Sequence, residues 1–239
     1  MRILLTNDDG IHGEGLRILA SWARILGEIV VYAPKTEQSA CGQSITLRRP
    51  FSCIKSDCFS DLGIEAYEVD STPADCVRIA YCLNGPFDLV FSGINNGFNT
   101  GQFIAYSGTL GAVLEAAAHG ICAVAFSTYA GDLGKLTDEL DRVWDFFEEK
   151  RLLKLHSLYN INISPGFTEC RITRQEPFFN CERFVPDESG LYLSMLDLSM
   201  WKDRKLDSSY DMEALFAGYC PVTPLRVDQT DEDFLNRFS

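Results

Sequence analysis

Two short apolar runs flank one amphipathic stretch within residues 2–34, and this pattern limits the chain to an architecture built on parallel strands. Residues 2–6 are mainly apolar and read as a buried strand. Leu16, Leu19, Ala20, Ala23 and Leu26 recur at helical spacing, and Gly27 supplies a stop. Residues 29–33 form a second strand closed by Pro34. Strand, helix and strand in so short a span make a βαβ unit, the connection that parallel strands require. The alternation continues. Ser71-Thr72-Pro73 opens a helix, with a hydroxyl to cap it and proline suited to its first turn. Residues 88–92 form a strand, Ser107-Gly108-Thr109 opens a helix that stops at Gly120, and 123–126 form a strand. A long helix spans 137–155, and 158–163 form a strand.

Two segments break the rhythm. Residues 43–69 read as an inserted β-ribbon, with strands at 45–47 and 66–69. Beyond 166 come short strand-like pieces at 170–173 and 191–195, a helical stretch at 209–217 and a short terminal helix at 231–238. The expectation is an α/β fold with a mainly parallel sheet: a core over 1–165 and an extension of the same domain over 166–239.

Charge narrows the partners. Against 34 acidic residues stand 21 basic ones, a net charge of −13. Nucleic-acid polymers and anionic membranes demand clustered positive charge, so neither is the expected partner. No stretch is apolar for long enough to span a bilayer, and the N-terminal run turns acidic too soon for a signal peptide. The nine cysteines form no CxxC pair, and the three histidines have no ligand spacing, which argues against zinc. Reduced thiols in the cytoplasm are the simplest expectation.

Three polar loops follow predicted parallel strands: 7–10, 34–40 and 93–101. In an open α/β sheet those strand ends share one edge, where ligands bind. Asp8 and Asp9 repel each other, and a dication is the usual remedy. Ser39 and Asn95 add a hydroxyl and an amide oxygen, an all-oxygen set that suits magnesium, manganese or calcium. Ser107-Gly108-Thr109 offers hydroxyls and freed backbone N–H groups at a helix N-terminus, a cradle for phosphate. Plainer roles fit the same residues: Asp8 or Asp9 capping the helix near Gly13, Asn95 and Asn99 as turn residues, and Ser107 capping its own helix. His12, His119, Arg48 and Arg49 have simple loop, helix-end and ribbon-end roles, and Trp22, Trp144 and Trp201 look like packing residues. Gly10-x-x-Gly13-x-Gly15 is not the dinucleotide spacing, and no GxxxxGK[ST] loop exists.

The motifs together resemble the SurE family of survival-protein 5′-nucleotidases. Residues 3–11 (ILLTNDDGI), 72–77 (TPADCV), 92–101 (SGINNGFNTG) and 106–109 (YSGT) look like its signatures. Further C-terminal matches lie at 173–175 and 218–225. The resemblance implies a Rossmann-like three-layer core whose C-terminal extension exchanges between subunits of a homodimer or homotetramer. It implies hydrolysis of nucleoside 5′-monophosphates, with 3′-nucleotides as further candidates, and one magnesium or manganese ion per subunit. The implied metal ligands are Asp8, Asp9, Ser39 and Asn95; Asp8, Asp9 and Asn99 serve catalysis; Asn95, Ser107, Gly108 and Thr109 hold the substrate. The chain departs from the family pattern at Thr36 (commonly Arg), Ala40 and Ser71 (commonly Gly), Gln102-Phe103 (commonly acidic) and 187–192 (often an Arg). Changes at Thr36 and Ala40, beside Ser39, favour the alternative of a nucleotide-binding or sensing protein with little turnover.

Overall fold

A computed structural model describes residues 1–129, 131, 133–177, 182–196 and 208–238. The first βαβ unit is β1 (Arg2–Thr6), α1 (Glu14–Ala23) and β2 (Glu28–Pro34). Next come β3 (Cys53–Ser56), β4 (Glu65–Val69), α2 (Pro73–Asn84), β5 (Leu89–Asn96), α3 (Gly108–Ala118) and β6 (Cys122–Thr128). They are followed by α4 (Thr137–Lys150), α5 (Leu152–Leu155), β7 (Leu158–Ile163) and β8 (Cys170–Ile172). The C-terminal part holds β9 (Glu182–Pro186), β10 (Tyr192–Leu196), α6 (Asp211–Phe216), β11 (Cys220–Pro224) and α7 (Glu232–Leu235).

Nine strands form one sheet in the order β3-β4-β2-β1-β5-β6-β7-β11-β8. From β4 to β7 all neighbours are parallel; β3 and β11 pair antiparallel with β4 and β7. Apolar residues cover both faces, as a parallel sheet requires. Ile3 and Leu5 of β1 join the layer of α1 and α4, where Trp22, Phe91, Phe126 and Trp144 meet edge-on or tilted. Leu4 points to the opposite layer with Val77 of α2 and Leu110 of α3. The result is the expected three-layer α/β core. Trp22 and Trp144 are packing residues; Trp201 lies outside the described residues.

Several expectations need correction. Residues 45–47 are not a strand; β3 at Cys53–Ser56 is the ribbon's partner for β4. The Thr46 amide donates instead to Asp75 Oδ2 (2.7 Å) and its hydroxyl meets Ser71 Oγ (2.7 Å), so its backbone donor is spent on the start of α2. The long helix over 137–155 is two, broken where Arg151 takes a left-handed conformation with φ 52°. Helix α1 stops at Ala23, earlier than the apolar spacing suggested, and β5 runs on through Gly93 to Asn96.

The C-terminal residues contribute strands to this sheet and a clamp to its edge. β11 lies between β7 and β8. Just before it, buried Asp211 accepts backbone N–H bonds from Gly101 (3.0 Å), Glu176 (2.9 Å) and Met212 (2.8 Å). The Gln175 amide donates to the Gly101 carbonyl (2.8 Å). The loop after β5 is thereby tied to chain more than a hundred residues away. In contrast, β9 and β10 form a separate two-stranded sheet that exposes Phe184, Leu191, Tyr192, Leu193 and Met195.

Candidate active site

The strand order reverses between β1 and β5: the chain winds outward from β1 through β2 and β4, then returns to β5 on the other side. Such a switch point opens a crevice at the carboxyl ends of the strands. Asp8 and Asp9 follow β1 there, and Asn95 lies at the end of β5. The loop after β2 closes against β1, with Ile11 N–H on Pro34 O (2.8 Å) and Gln38 N–H on Asp8 O (2.7 Å). A cleft of about 390 Å³ results, bounded by Asp8, Asp9, Ser39, Asn95, Asn99 and Ser107 among others. Asp8, Asp9, Ser39, Asn95, Asn99 and Ser107 therefore converge, whereas Gly108 and Thr109 lie outside the lining, behind Asp8.

Asp8 is only 4% exposed and accepts a 2.6 Å bond from the Thr109 hydroxyl at the start of α3. Burial pushes its carboxyl up, against the pull of the Thr109 bonds. Burial, then the neighbouring Asp8, push Asp9 up to about 6, and the Glu37 carboxylate adds to both. Neither aspartate caps α1, whose N-cap is Gly13 without a side-chain bond. Ser107 does cap its own helix, its oxygen accepting Leu110 N–H at 3.2 Å. The Ser39 hydroxyl donates to Glu37 (2.6 Å), and the Asn95 amide N–H donates to Gly97 O (2.7 Å), which leaves the Asn95 amide oxygen for another partner.

Asn99 is anchored on every side. Its N–H donates to Asn162 Oδ1 (2.8 Å), its side-chain amide to Ser127 Oγ (2.9 Å), and its carbonyl accepts from Asn160 (2.7 Å) and Asn162 (3.1 Å). Sequence reasoning missed these three strand-end residues, although two polar residues at i and i+2 in the apolar strand 158–163 were a signal. Glu37 was missed too, inside a loop already singled out.

The donor set fits a hard divalent cation. Two crowded carboxylates whose charge is disfavoured share a cleft with a hydroxyl and an amide oxygen, and among the described residues the lining has no His or Cys. Among the described residues no three His, Cys, Asp or Glu side chains cluster as a metal cage, which also sets this arrangement apart from a zinc centre.

Helix α3 reaches Asp8 because residue 108 has no side chain: a Cβ there would lie 2.8 Å from Cys41 Sγ and 2.9 Å from Asp8 Cβ. Gly108→Ala is expected to push the helix start off Asp8, costing about 1–3 kcal/mol of stability. Chemical denaturation reads that loss, and a variant as stable as wild type would show that the approach is loose.

The family profile described as Survival protein SurE matches residues 3–178. The chain belongs to the SurE family. It is 36% identical to "5'-nucleotidase SurE" of Thermosipho africanus over 250 residues, covering 99% of this chain and 96% of that protein. It is also 36% identical to "5'-nucleotidase SurE 1" of Thermus thermophilus, over 264 residues, covering 100% and 97%. The crystal structure of the SurE protein from Aquifex aeolicus superposes with a TM-score of 0.81 at 30% identity, covering 99% of this chain and 98% of that one. Ala40 and Ser71 have visible structural consequences. Ala40 holds φ 57°, a left-handed conformation that costs a non-glycine residue about 1 kcal/mol. Ser71 bonds Asp75 (2.7 Å) and the Thr46 hydroxyl, stiffening the junction of ribbon and α2.

Proposed function

We propose that this SurE protein is a divalent-metal-dependent phosphatase of nucleoside 5′-monophosphates, with 3′-nucleotides as secondary substrates. The carrying observation is the convergence of Asp8, Asp9, Ser39 and Asn95 at the switch point, with the start of α3 alongside. One magnesium or manganese ion per subunit would be held by these four residues. When bound it neutralises phosphoryl charge and acts as a Lewis acid. The chain's own groups do the remaining work. The start of α3 presents an N-terminal dipole and the Ser107 hydroxyl to the equatorial oxygens that gain charge in the transition state. Asn99, fixed from β6 and β7, orients the substrate. Water is the nucleophile, because the Thr109 bond and deep burial hold Asp8 back from in-line attack.

The test is phosphate release from a panel of nucleoside monophosphates with manganese, with magnesium and with chelator. Metal-dependent release supports the phosphatase. Nucleotide binding without release, in a protein that binds metal, would select the sensing protein, the reading that strained Ala40 beside Ser39 favours.

The assembly we propose is a homodimer or homotetramer joined through the C-terminal extension. The β9–β10 hairpin supports it, since Tyr192 is 72% exposed and Phe184, Leu191 and Leu193 about as open. So many large apolar groups on one isolated ribbon are a surface for burial. Replacing Phe184, Tyr192 and Leu193 by Ser should shift the protein to a monomer in sedimentation; an unchanged mass would place the interface elsewhere. Among the described residues no helix is long and apolar enough to cross a membrane. Eight described cysteines are free thiols, which supports a cytoplasmic location.

A further inference from the structure

The cleft holds more than the groups that suit a metal and a phosphate. Phe98, Phe103 and Tyr106 line it as well. Neither Phe98 nor Phe103 belongs to either hydrophobic core cluster, so packing of the fold does not account for them. Phe103 and Tyr106 stand three residues apart around the 3₁₀ turn Gly101–Ala105, joined by Tyr106 N–H to Phe103 O at 3.1 Å. Side chains at i and i+3 of such a turn eclipse, so both rings leave it on one side. Phe98 comes from the loop after β5, and the Tyr129 ring backs it at 5.8 Å and 38°. Among the described residues, the lining carries the carboxylates of Asp8, Asp9 and Glu37 and no Lys or Arg. Among these residues the non-phosphate part of a ligand therefore meets aromatic faces.

We propose that Phe98 and Phe103 form the wall on which the base of a nucleoside monophosphate stacks, with Tyr129 positioning Phe98. This deepens the phosphatase reading and rests on it. A heterocyclic base offers the flat π-face that aromatic rings stack against, and sugar phosphates and polyol phosphates do not. The wall is preorganised. Phe98 and Phe103 flank Asn99, locked to β6 and β7, and Gly101, clamped by Asp211, so rings and phosphate site are held at fixed spacing.

The experiment compares adenosine 5′-monophosphate with ribose 5-phosphate on the metal-loaded protein, for wild type, Phe98→Ala, Phe103→Leu and Phe98→Tyr. The first two variants should lose about 5- to 100-fold in kcat/KM for the nucleotide, mainly through KM, and stay within about twofold for ribose 5-phosphate. Phe98→Tyr should keep the wild-type ratio. Binding of adenosine, read by ligand-observed NMR, should weaken in parallel in the first two variants. Equal losses on both substrates would show a merely structural role, and no loss on the nucleotide, or no wild-type preference for it, would overturn the wall. If wild type hydrolyses neither substrate, the phosphatase reading fails; adenosine binding then decides the wall alone, supporting it if the Ala and Leu variants weaken it and overturning it if they do not.

Discussion

Asp8→Asn is expected to abolish metal-dependent phosphate release, by on the order of 10³-fold, while the protein without metal becomes more stable than wild type. Both effects have one cause. Burial disfavours charge on Asp8 and Asp9, the Asp8 carboxylate adds to the penalty on Asp9, and Glu37 adds to both. The ionised pair therefore works against the fold until a cation offsets it, and an amide at residue 8 removes the penalty together with the ligand. It still accepts the Thr109 hydroxyl bond, so the local geometry has no reason to collapse. Thermal unfolding should show manganese raising Tm of wild type and not of the variant, with the order of stabilities reversed in chelator. The sign of the pH dependence follows. A carboxyl raised to about 6 contributes stability that is full below its unfolded value near 4 and lost as pH rises through 6. In chelator, Tm should thus fall over that window in wild type, and less so in Asp9→Asn. Retained metal-dependent turnover in Asp8→Asn would sink the metal assignment.

Asp211→Ala is expected to be the most damaging change outside the cleft. It leaves the N–H groups of Gly101, Glu176 and Met212 without their acceptor in a buried setting. Each unsatisfied buried donor costs about 1–3 kcal/mol, so a total loss of about 3 kcal/mol or more is expected. Activity should fall further than stability explains, because Gly101 fixes the loop that carries Asn99. Denaturation curves and kcat measured where the variant is still folded separate the two. A folded variant with wild-type kcat would show that the clamp serves the fold alone.

Most of the core was legible because its signals are local. The strands at 2–6, 29–33, 66–69, 123–126 and 158–163 and the helix after Thr72 follow from apolar runs, caps and stops. The convergence of Asp8, Ser39 and Asn95 followed from topology, since parallel strands place their carboxyl ends on one edge. Where reading failed, the deciding partner lay far away or in a single dihedral. Residues 45–47 have strand-like composition, yet Asp75 takes the Thr46 amide. Nothing in the apolar pattern of 137–155 marks Arg151 as the break. Thr109 was read as facing phosphate, and its hydroxyl turns to Asp8, a choice that depends on how closely α3 approaches. The support of Asn99 by Ser127, Asn160 and Asn162 is a contact between strand ends, visible only once strand order is fixed.

The place of β11 has a consequence for synthesis. The last of the described strands in chain order is not added at an edge; it is inserted between β7 and β8. The residue that pins the cleft loop, Asp211, emerges only shortly before it. A nascent chain can assemble its first βαβ units early, as N-terminal segments do, but its sheet stays open on one side and its Asn99 loop unclamped. Every proposed metal ligand is therefore synthesised well before the residue that clamps the loop beside them.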